Sequence, residues 1–129
     1  MVIDSSALLA ILFDEDGAEA LEEAIEADPV RLMSAASVLE TAIVVEARLG
    51  DPGGRELDLL LHKAGIDISA VTSDQVEVAR HAFRKFGKGR HPAGLNFGDC
   101  FSYALSKSSG EPLLFKGDDF PQSDVASAL

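Results

Sequence analysis

Apolar and polar positions along the chain predict short strands taking turns with amphipathic helices. Val2-Ile3 reads as an apolar strand ending at Asp4, after which Ser5 or Ser6 is placed to cap a helix carrying Leu8, Leu9, Ile11 and Leu12. The acidic turn Asp14-Glu15-Asp16-Gly17 follows. A second helix over residues 18–27 puts Ala20, Leu21, Ala24 and Ile25 on one face and Glu19, Glu22, Glu23 and Glu26 on the other, and Asp28-Pro29 stops it. Residues 30–33 form a second strand, and Ser34 or Ser37 caps a third helix that runs to Leu49 and ends at Gly50. Its apolar residues Val38, Leu39, Ile43, Val44 and Val45 lie nearly all round, which implies burial on more than one side.

Asp51-Pro52 and Gly53-Gly54 read as a break before a fourth helix over 56–64, and Ile66, Ile68 and Val71 alternate as a third strand. Thr72 and Gln75 have capping-box spacing for a fifth helix, with Val76, Ala79, Ala82 and Phe83 inward and its bases outward. A loop of Gly, Pro and bases over 87–95 leads to a sixth helix that starts near Asn96 and ends at Gly110. Residues 112–115 are a fourth strand, and Val125 marks a short fifth. With connections this long, the alternation implies an α/β fold with a parallel sheet of four to five strands covered on both faces. In such sheets ligands bind at the carboxyl ends of the strands. The chain has 129 residues and no repeat or linker, so a single domain over 1–129 is expected.

Composition narrows the setting. Apolar residues make up 47% and charged residues 26%, which is globular rather than disordered. A lone cysteine allows no internal disulfide, and Met1-Val2-Ile3 runs into Asp4 with no basic leader, so a reducing, cytoplasmic location is expected. The apolar run from Ala7 to Phe13 is far shorter than the ~20 residues a membrane span needs, so no membrane partner is expected.

The net charge of -11 argues at first against a nucleic-acid partner. Its distribution changes the picture. Between Glu77 and Asp99 there is no acid, and this stretch holds Arg80, Arg84, Lys85, Lys88 and Arg90 with His81 and His91. That is +5 in one window, against 22 acids and six bases elsewhere. The cluster reads either as a solvated helix face or as a localised anion-facing surface.

Some acids occupy positions where surface acids are not expected. Asp4 directly follows the first strand, and Asp118 and Asp119 follow the fourth through Lys116-Gly117. Glu40 is flanked by Val38, Leu39, Ala42 and Ile43, where an unpaired carboxylate would be costly to bury. Asp99 falls in the first turn of the sixth helix, three residues after Asn96, where helix-terminal N–H groups help hold it. Singly, Asp4, Asp99 and Asp118-Asp119 read as cap, helix-start or turn acids, and Glu40 is the least easily explained that way. Together they place four or five oxygens around one cleft, a donor set suited to Mg²⁺ or Mn²⁺. Zinc is disfavoured, because His62, His81 and His91 lack ligand spacing and Cys100 reads as a core thiol.

Four segments carry a resemblance: Val2-Ile3-Asp4-Ser5-Ser6-Ala7-Leu8, Ala36-Ser37-Val38-Leu39-Glu40, Leu95-Asn96-Phe97-Gly98-Asp99-Cys100 and Leu113-Leu114-Phe115-Lys116-Gly117-Asp118-Asp119-Phe120. In order and spacing, the set resembles the acidic motifs of PIN-domain ribonucleases of the VapC toxin type. The resemblance implies a PIN-like α/β/α sandwich, Mg²⁺-dependent endoribonuclease activity, an RNA substrate, inhibition by a VapB-type antitoxin, and homodimers. One position departs from the pattern. Where family members place Asp or Asn at the end of the fourth strand, an ungapped reading puts Gly117, so the fourth acid is Asp119 or its neighbour Asp118.

On this reading Asp4 and Asp99 are the primary metal ligands, Glu40 orients the attacking water or completes the shell, and Asp119 or Asp118 supports a second metal. Ser6 either hydrogen-bonds a ligand or caps its helix. Arg84, Lys85, Lys88, Arg90 and His91 are expected to contact RNA phosphates, setting affinity more than sequence choice. With one Tyr and no Trp, little surface for base stacking is expected. The alternative from a different class is a receiver-like, Mg²⁺-binding phosphoacceptor domain using Lys116, although no Asp ends the third strand at Val71-Thr72-Ser73.

Overall fold

The computed structural model describes residues 1–129. Its elements in chain order are β1 (Val2–Ile3), α1 (Ser5–Leu12), α2 (Ala18–Ala27), β2 (Leu32–Ser34), α3 (Ala35–Leu49), α4 (Asp51–Lys63), β3 (Asp67–Ser69), α5 (Ser73–Phe86), α6 (Phe97–Ser109) and β4 (Leu113–Leu114). A 3-10 turn at Phe120–Gln122 follows. All strand pairs are parallel, in the order β3-β2-β1-β4. The chain winds outward from β1 to β3, then returns to lay β4 on the other side of β1. That reversal lies between β1 and β4, where an open α/β sheet leaves a crevice at its carboxyl edge.

Side-chain alternation along these short strands divides the core. Met1, Ile3, Met33 and Leu114 point to one face, where they meet α1 through Leu8, α2 through Leu21 and Ile25, and α4 through Leu57. Val2 and Leu113 point to the other face and meet Ala82 and Phe86 of α5 and Tyr103 and Leu105 of α6. The result is the expected α/β/α sandwich.

Several boundaries differ from the sequence reading, each for a physical reason. α1 is capped by Asp4 rather than by Ser5 or Ser6: its side chain accepts the Ser6 N–H, and both serines enter the first turn. The second strand begins at Leu32 instead of residue 30, because Val30 lies exposed before the first sheet hydrogen bond, from Leu32 N–H to the Met1 carbonyl at 2.9 Å. α4 starts at Asp51, absorbing the Pro-Gly-Gly stretch read as a break. Pro52 sits in the first turn, where its missing N–H does no harm, and the glycines serve packing. A Cβ at Gly53 would lie 2.7 Å from Val45 Cγ1 of α3, so only glycine lets the two helices approach this closely.

α3 is not buried on several sides: Leu39 and Ile43 are 61% and 60% exposed, and the buried face is Ser37, Thr41 and Val45 at spacing i, i+4, i+8. β3 is a sheet edge, with Ile66 buried and Ile68 exposed. On α5, Ala82 is buried, whereas Val76 and Phe83 line an open groove. The fifth strand expected at Val125 is absent; a single bridge pairs Leu113 with Ser127, so the sheet has four strands. No helix is long and apolar enough to cross a membrane.

Candidate metal centre at the β1–β4 edge

The parallel register carries the acids to one edge. Asp4 leaves β1 with its N–H donating to the Leu114 carbonyl of β4 at 2.9 Å, so the residues after β4 emerge beside it. Gly117 then turns with φ of 119°, a left-handed conformation that side chains resist, and brings Asp118 and Asp119 to the same corner. A cavity of about 190 Å³ is lined by Asp4, Ser6, Asp99, Lys116, Gly117, Asp118, Asp119 and Phe120. Asp4, Ser6, Asp99, Asp118 and Asp119, read from the sequence as one candidate site, thus share this cavity, which Glu40 does not line.

Asp4 is only 2% exposed, and each of its carboxylate oxygens accepts a hydrogen bond. Its Oδ2 accepts from Ser6 N–H at 3.0 Å and from Ser6 Oγ at 2.6 Å, and its Oδ1 accepts from Ser102 Oγ. Ser6 was open between two roles; its hydroxyl holds Asp4 while accepting the Lys116 N–H at 3.0 Å, which ties the exit of β4 to the start of α1.

Asp99 sits in a capping box. Asn96 Oδ1 accepts the Asp99 N–H at 2.9 Å, and Asp99 Oδ2 accepts the Asn96 N–H at 3.0 Å. Burial pushes its carboxyl up to about 7, and the charges of Asp4, Asp119 and Glu40 add to the rise against the opposing Asn96 hydrogen bond. Negative charge is therefore concentrated here beyond what the protein compensates. Asp119 contributes to that field at Asp99.

Glu40 lies against this wall from α3. Ser5 Oγ donates to its Oε1 at 2.6 Å, and its other oxygen rests on the Gly98 backbone; a Cβ on Gly98 would overlap the carboxylate, 2.7 Å from its Cδ. A side chain at position 98 would therefore displace the Glu40 carboxylate. Cys100 is buried, with its thiol pushed up to about 11 by burial and then by Asp99, as an inert core group.

The donor set is entirely oxygen, and Asp99 Oδ1 has no protein partner. No three Asp, Glu, His or Cys side chains are placed to hold a metal ion together. This arrangement fits a hydrated hard cation such as Mg²⁺, which keeps several waters and takes only one or two carboxylates directly.

The predicted basic residues do not line the cavity. Arg84 borders the apolar groove between α5 and α6, Lys85 lies 5.1 Å over the Phe86 ring and Arg90 lies 5.8 Å over Phe83. Lys88 is exposed on the loop, and His91 accepts the Ala93 N–H on Nδ1 at 3.0 Å. That loop leads into Asn96, the cap of the helix that carries Asp99, so it shares the acidic end of α6. The one base in the cavity is Lys116, paired with Glu15 at 3.0 Å.

As parts of the site, Ser5, Ser37, Ser102 and Gly98 escaped sequence reasoning. Ser37 and Ser102 had a signal: each is a hydroxyl three residues from an acid on the same helix face, among apolar neighbours. An aromatic surface was missed too, since Phe97, two residues before Asp99, is 79% exposed and packs edge-on against Phe101.

The family model of the PIN domain matches residues 1–126. The chain is 65% identical to ribonuclease VapC30 of Mycobacterium tuberculosis over 127 residues, covering 98% of this chain and 97% of that one. It is 65% identical to a ribonuclease VapC of Mycolicibacterium smegmatis over 127 residues, covering 98% of each. Ribonuclease VapC42 of M. tuberculosis is 45% identical over 129 residues, covering 99% and 98%. The crystal structure of M. tuberculosis VapC20, described as a sarcin-ricin loop cleaving toxin, matches with a TM-score of 0.78 over 97% of this chain and 95% of that one. At 17% identity that likeness is one of fold. Family match, relatives and fold agree: the chain belongs to the PIN-domain family, among the metal-dependent VapC ribonucleases that act as toxins.

Proposed function

We propose that the chain is an Mg²⁺-dependent endoribonuclease that hydrolyses RNA phosphodiester bonds at the β1–β4 corner, with Mn²⁺ able to substitute. The observation that carries this assignment is the convergence of Asp4, Asp99 and Asp119 on one cavity, with Asp99 lifted to about 7 by burial and by the neighbouring carboxylates. A polyanionic substrate cannot approach that corner unless a cation neutralises it.

When bound, the cation stabilises charge on the phosphoryl oxygens and acidifies the attacking water. Asp4 and Asp99 hold it, Asp4 being fixed by Ser6 and Ser102, and Asp99 by its capping box. Glu40, steadied by Ser5, orients the water and accepts its proton. Asp119, with Asp118 beside it, holds a second cation or completes the shell around the first.

Arg84, Lys85, Lys88, Arg90 and His91 form the approach surface for RNA phosphates. Reversing Lys88 and Arg90 to Glu is expected to weaken RNA binding roughly tenfold at about 0.1 M salt and to flatten its salt dependence. A binding titration with chelator present to prevent cleavage measures both; an unchanged salt slope contradicts the surface.

The chain is one half of a toxin–antitoxin pair, inhibited by a small VapB-type antitoxin, a reading supported by its similarity to VapC ribonucleases. The acidic corner suits a charge-assisted bond from an antitoxin arginine, which would also exclude the cation. The chain acts in the cytoplasm as a homodimer, a state that sedimentation at micromolar concentration tests.

The receiver-like alternative requires Lys116 to face an acyl phosphate, but Lys116 is paired with Glu15. Incubation with RNA and Mg²⁺, and separately with a phosphodonor and Mg²⁺, discriminates the two. RNA fragments without acyl phosphate are expected; a stable acyl phosphate with intact RNA overturns the proposal.

A further inference from the structure

Two helices meet at the acidic corner with the same spacing: Ser37 and Glu40 on α3, Asp99 and Ser102 on α6, each pair three residues apart and on one helix face. In each pair the acid is the more exposed member, Asp99 lining the cleft, and the serine lies in the interior. Ser37 and Ser102 are 1% and 0% exposed. Their hydroxyl oxygens are 3.1 Å apart, and Ser102 Oγ contacts Asp4 Oδ1.

The direction of this chain of hydroxyls follows from its end. Ser102 Oγ donates to Asp4 Oδ1, and with its one hydrogen so used its oxygen is left to accept from Ser37. Ser37 is placed in turn by its helix, where its carbonyl accepts from Thr41 Oγ1 at 2.7 Å. Both oxygens of Asp4 are thereby held, Oδ2 by Ser6 from its own helix and Oδ1 by α6 and, behind it, α3. No buried side-chain polar atom lacks a partner, the two serine hydroxyls included.

We propose that Ser102, backed by Ser37, is a positioning residue that fixes the Asp4 carboxylate in the orientation that binds the catalytic cation. The inference rests on Asp4 being a metal ligand, as proposed above. Groups that hydrogen-bond a ligating carboxylate set its orientation and basicity, and their loss weakens metal binding by roughly 10- to 100-fold. Without the hydroxyl, Asp4 is free to rotate about its own side chain, and the ligand atoms on β1 and α6 lose their fixed relation.

The test is calorimetric titration of the purified, metal-free chain with Mg²⁺ and with Mn²⁺, alongside RNA cleavage as a function of Mg²⁺ concentration. Ser102→Ala is expected to weaken cation binding roughly 10- to 100-fold. The Mg²⁺ concentration for half-maximal cleavage should rise in step, while KM for RNA at saturating Mg²⁺ stays near that of the parent. Ser102→Cys, which keeps the size and a weak donor, is expected to fall between parent and Ser102→Ala. Ser37→Ala removes only the outer link and is expected to shift affinity in the same direction by less. Cation affinity in folded Ser102→Ala and Ser37→Ala equal to the parent's, whatever happens to thermal stability, overturns the proposal. Absence of cation binding by the parent itself would instead refute the metal site on which it depends.

Discussion

Replacing Asp99 by Asn is expected to abolish RNA cleavage and, at pH 8 without metal, to raise the melting temperature. Loss of one anionic ligand removes several kcal/mol of transition-state stabilisation, so the rate should fall by roughly 10³-fold or more. The gain in stability follows from the same chemistry. The native carboxyl is raised to about 7 from 3.8, chiefly by burial and then by Asp4, Asp119 and Glu40. A carboxyl with a raised native pKa binds more protons folded than unfolded. Its favourable contribution is therefore complete below about pH 4 and is lost as pH rises through about 7.

The substituted amide carries no charge to strand in that corner, and its oxygen can still accept the Asn96 N–H, so the capping box survives. Because the carboxyl keeps part of its surface in water, the gain is several degrees rather than the full value of the shift. Thermal melts from pH 4 to 8 check the sign: the parent should lose stability across this range relative to the Asp99→Asn variant. Added Mg²⁺ should restore stability to the parent and leave the variant unmoved. A variant that melts lower at pH 8, or cuts RNA at the parental rate, contradicts the assignment.

The second large effect is expected from a methyl group. Gly98→Ala should lower kcat for RNA cleavage roughly 10²-fold while the protein remains folded, because the new Cβ would overlap the Glu40 carboxylate and drive it from its place. Alanine is a better helix former than glycine in the first turn of α6, so the fold has no reason to suffer. A double-mutant cycle separates displacement of Glu40 from other damage. In a Glu40→Gln background the same methyl should cost little more, because the group it displaces is already inactive. Full additivity of the two losses would show that Gly98 acts through something other than Glu40.

How much of this was legible in the sequence differs by element. Caps were readable because their chemistry is local: Thr72 and Asn96 start α5 and α6 where expected, and Gly110 ends α6. The acids were readable because a strand followed at once by Asp, or a Glu among Val, Leu and Ile, breaks the pattern of its surroundings. Gly53 and Gly54 misled, because local propensity marks them as a break while the approach of α3 to α4 leaves no room for a Cβ at Gly53. α3 misled in the opposite sense: its most apolar positions, Leu39 and Ile43, face outward, while Ser37 and Thr41 are buried with hydrogen bonds supplied by the fold. The apolar surroundings of Ser37 and Ser102 hint at burial, but not that the two hydroxyls, 65 residues apart, are each other's partner. The charge arithmetic found the basic stretch, yet only the structure places those bases beside α6 rather than inside the acidic cavity.

The central claim is that the acids at the β1–β4 edge are one cation-dependent centre for RNA cleavage. Its most direct measurement is fragment mapping of RNA incubated with the purified chain under Mg²⁺, with a chelator, and with Asp4→Asn under Mg²⁺. Discrete cuts in the first reaction alone are the expected result. Equal cutting with chelator, or by Asp4→Asn, would contradict it.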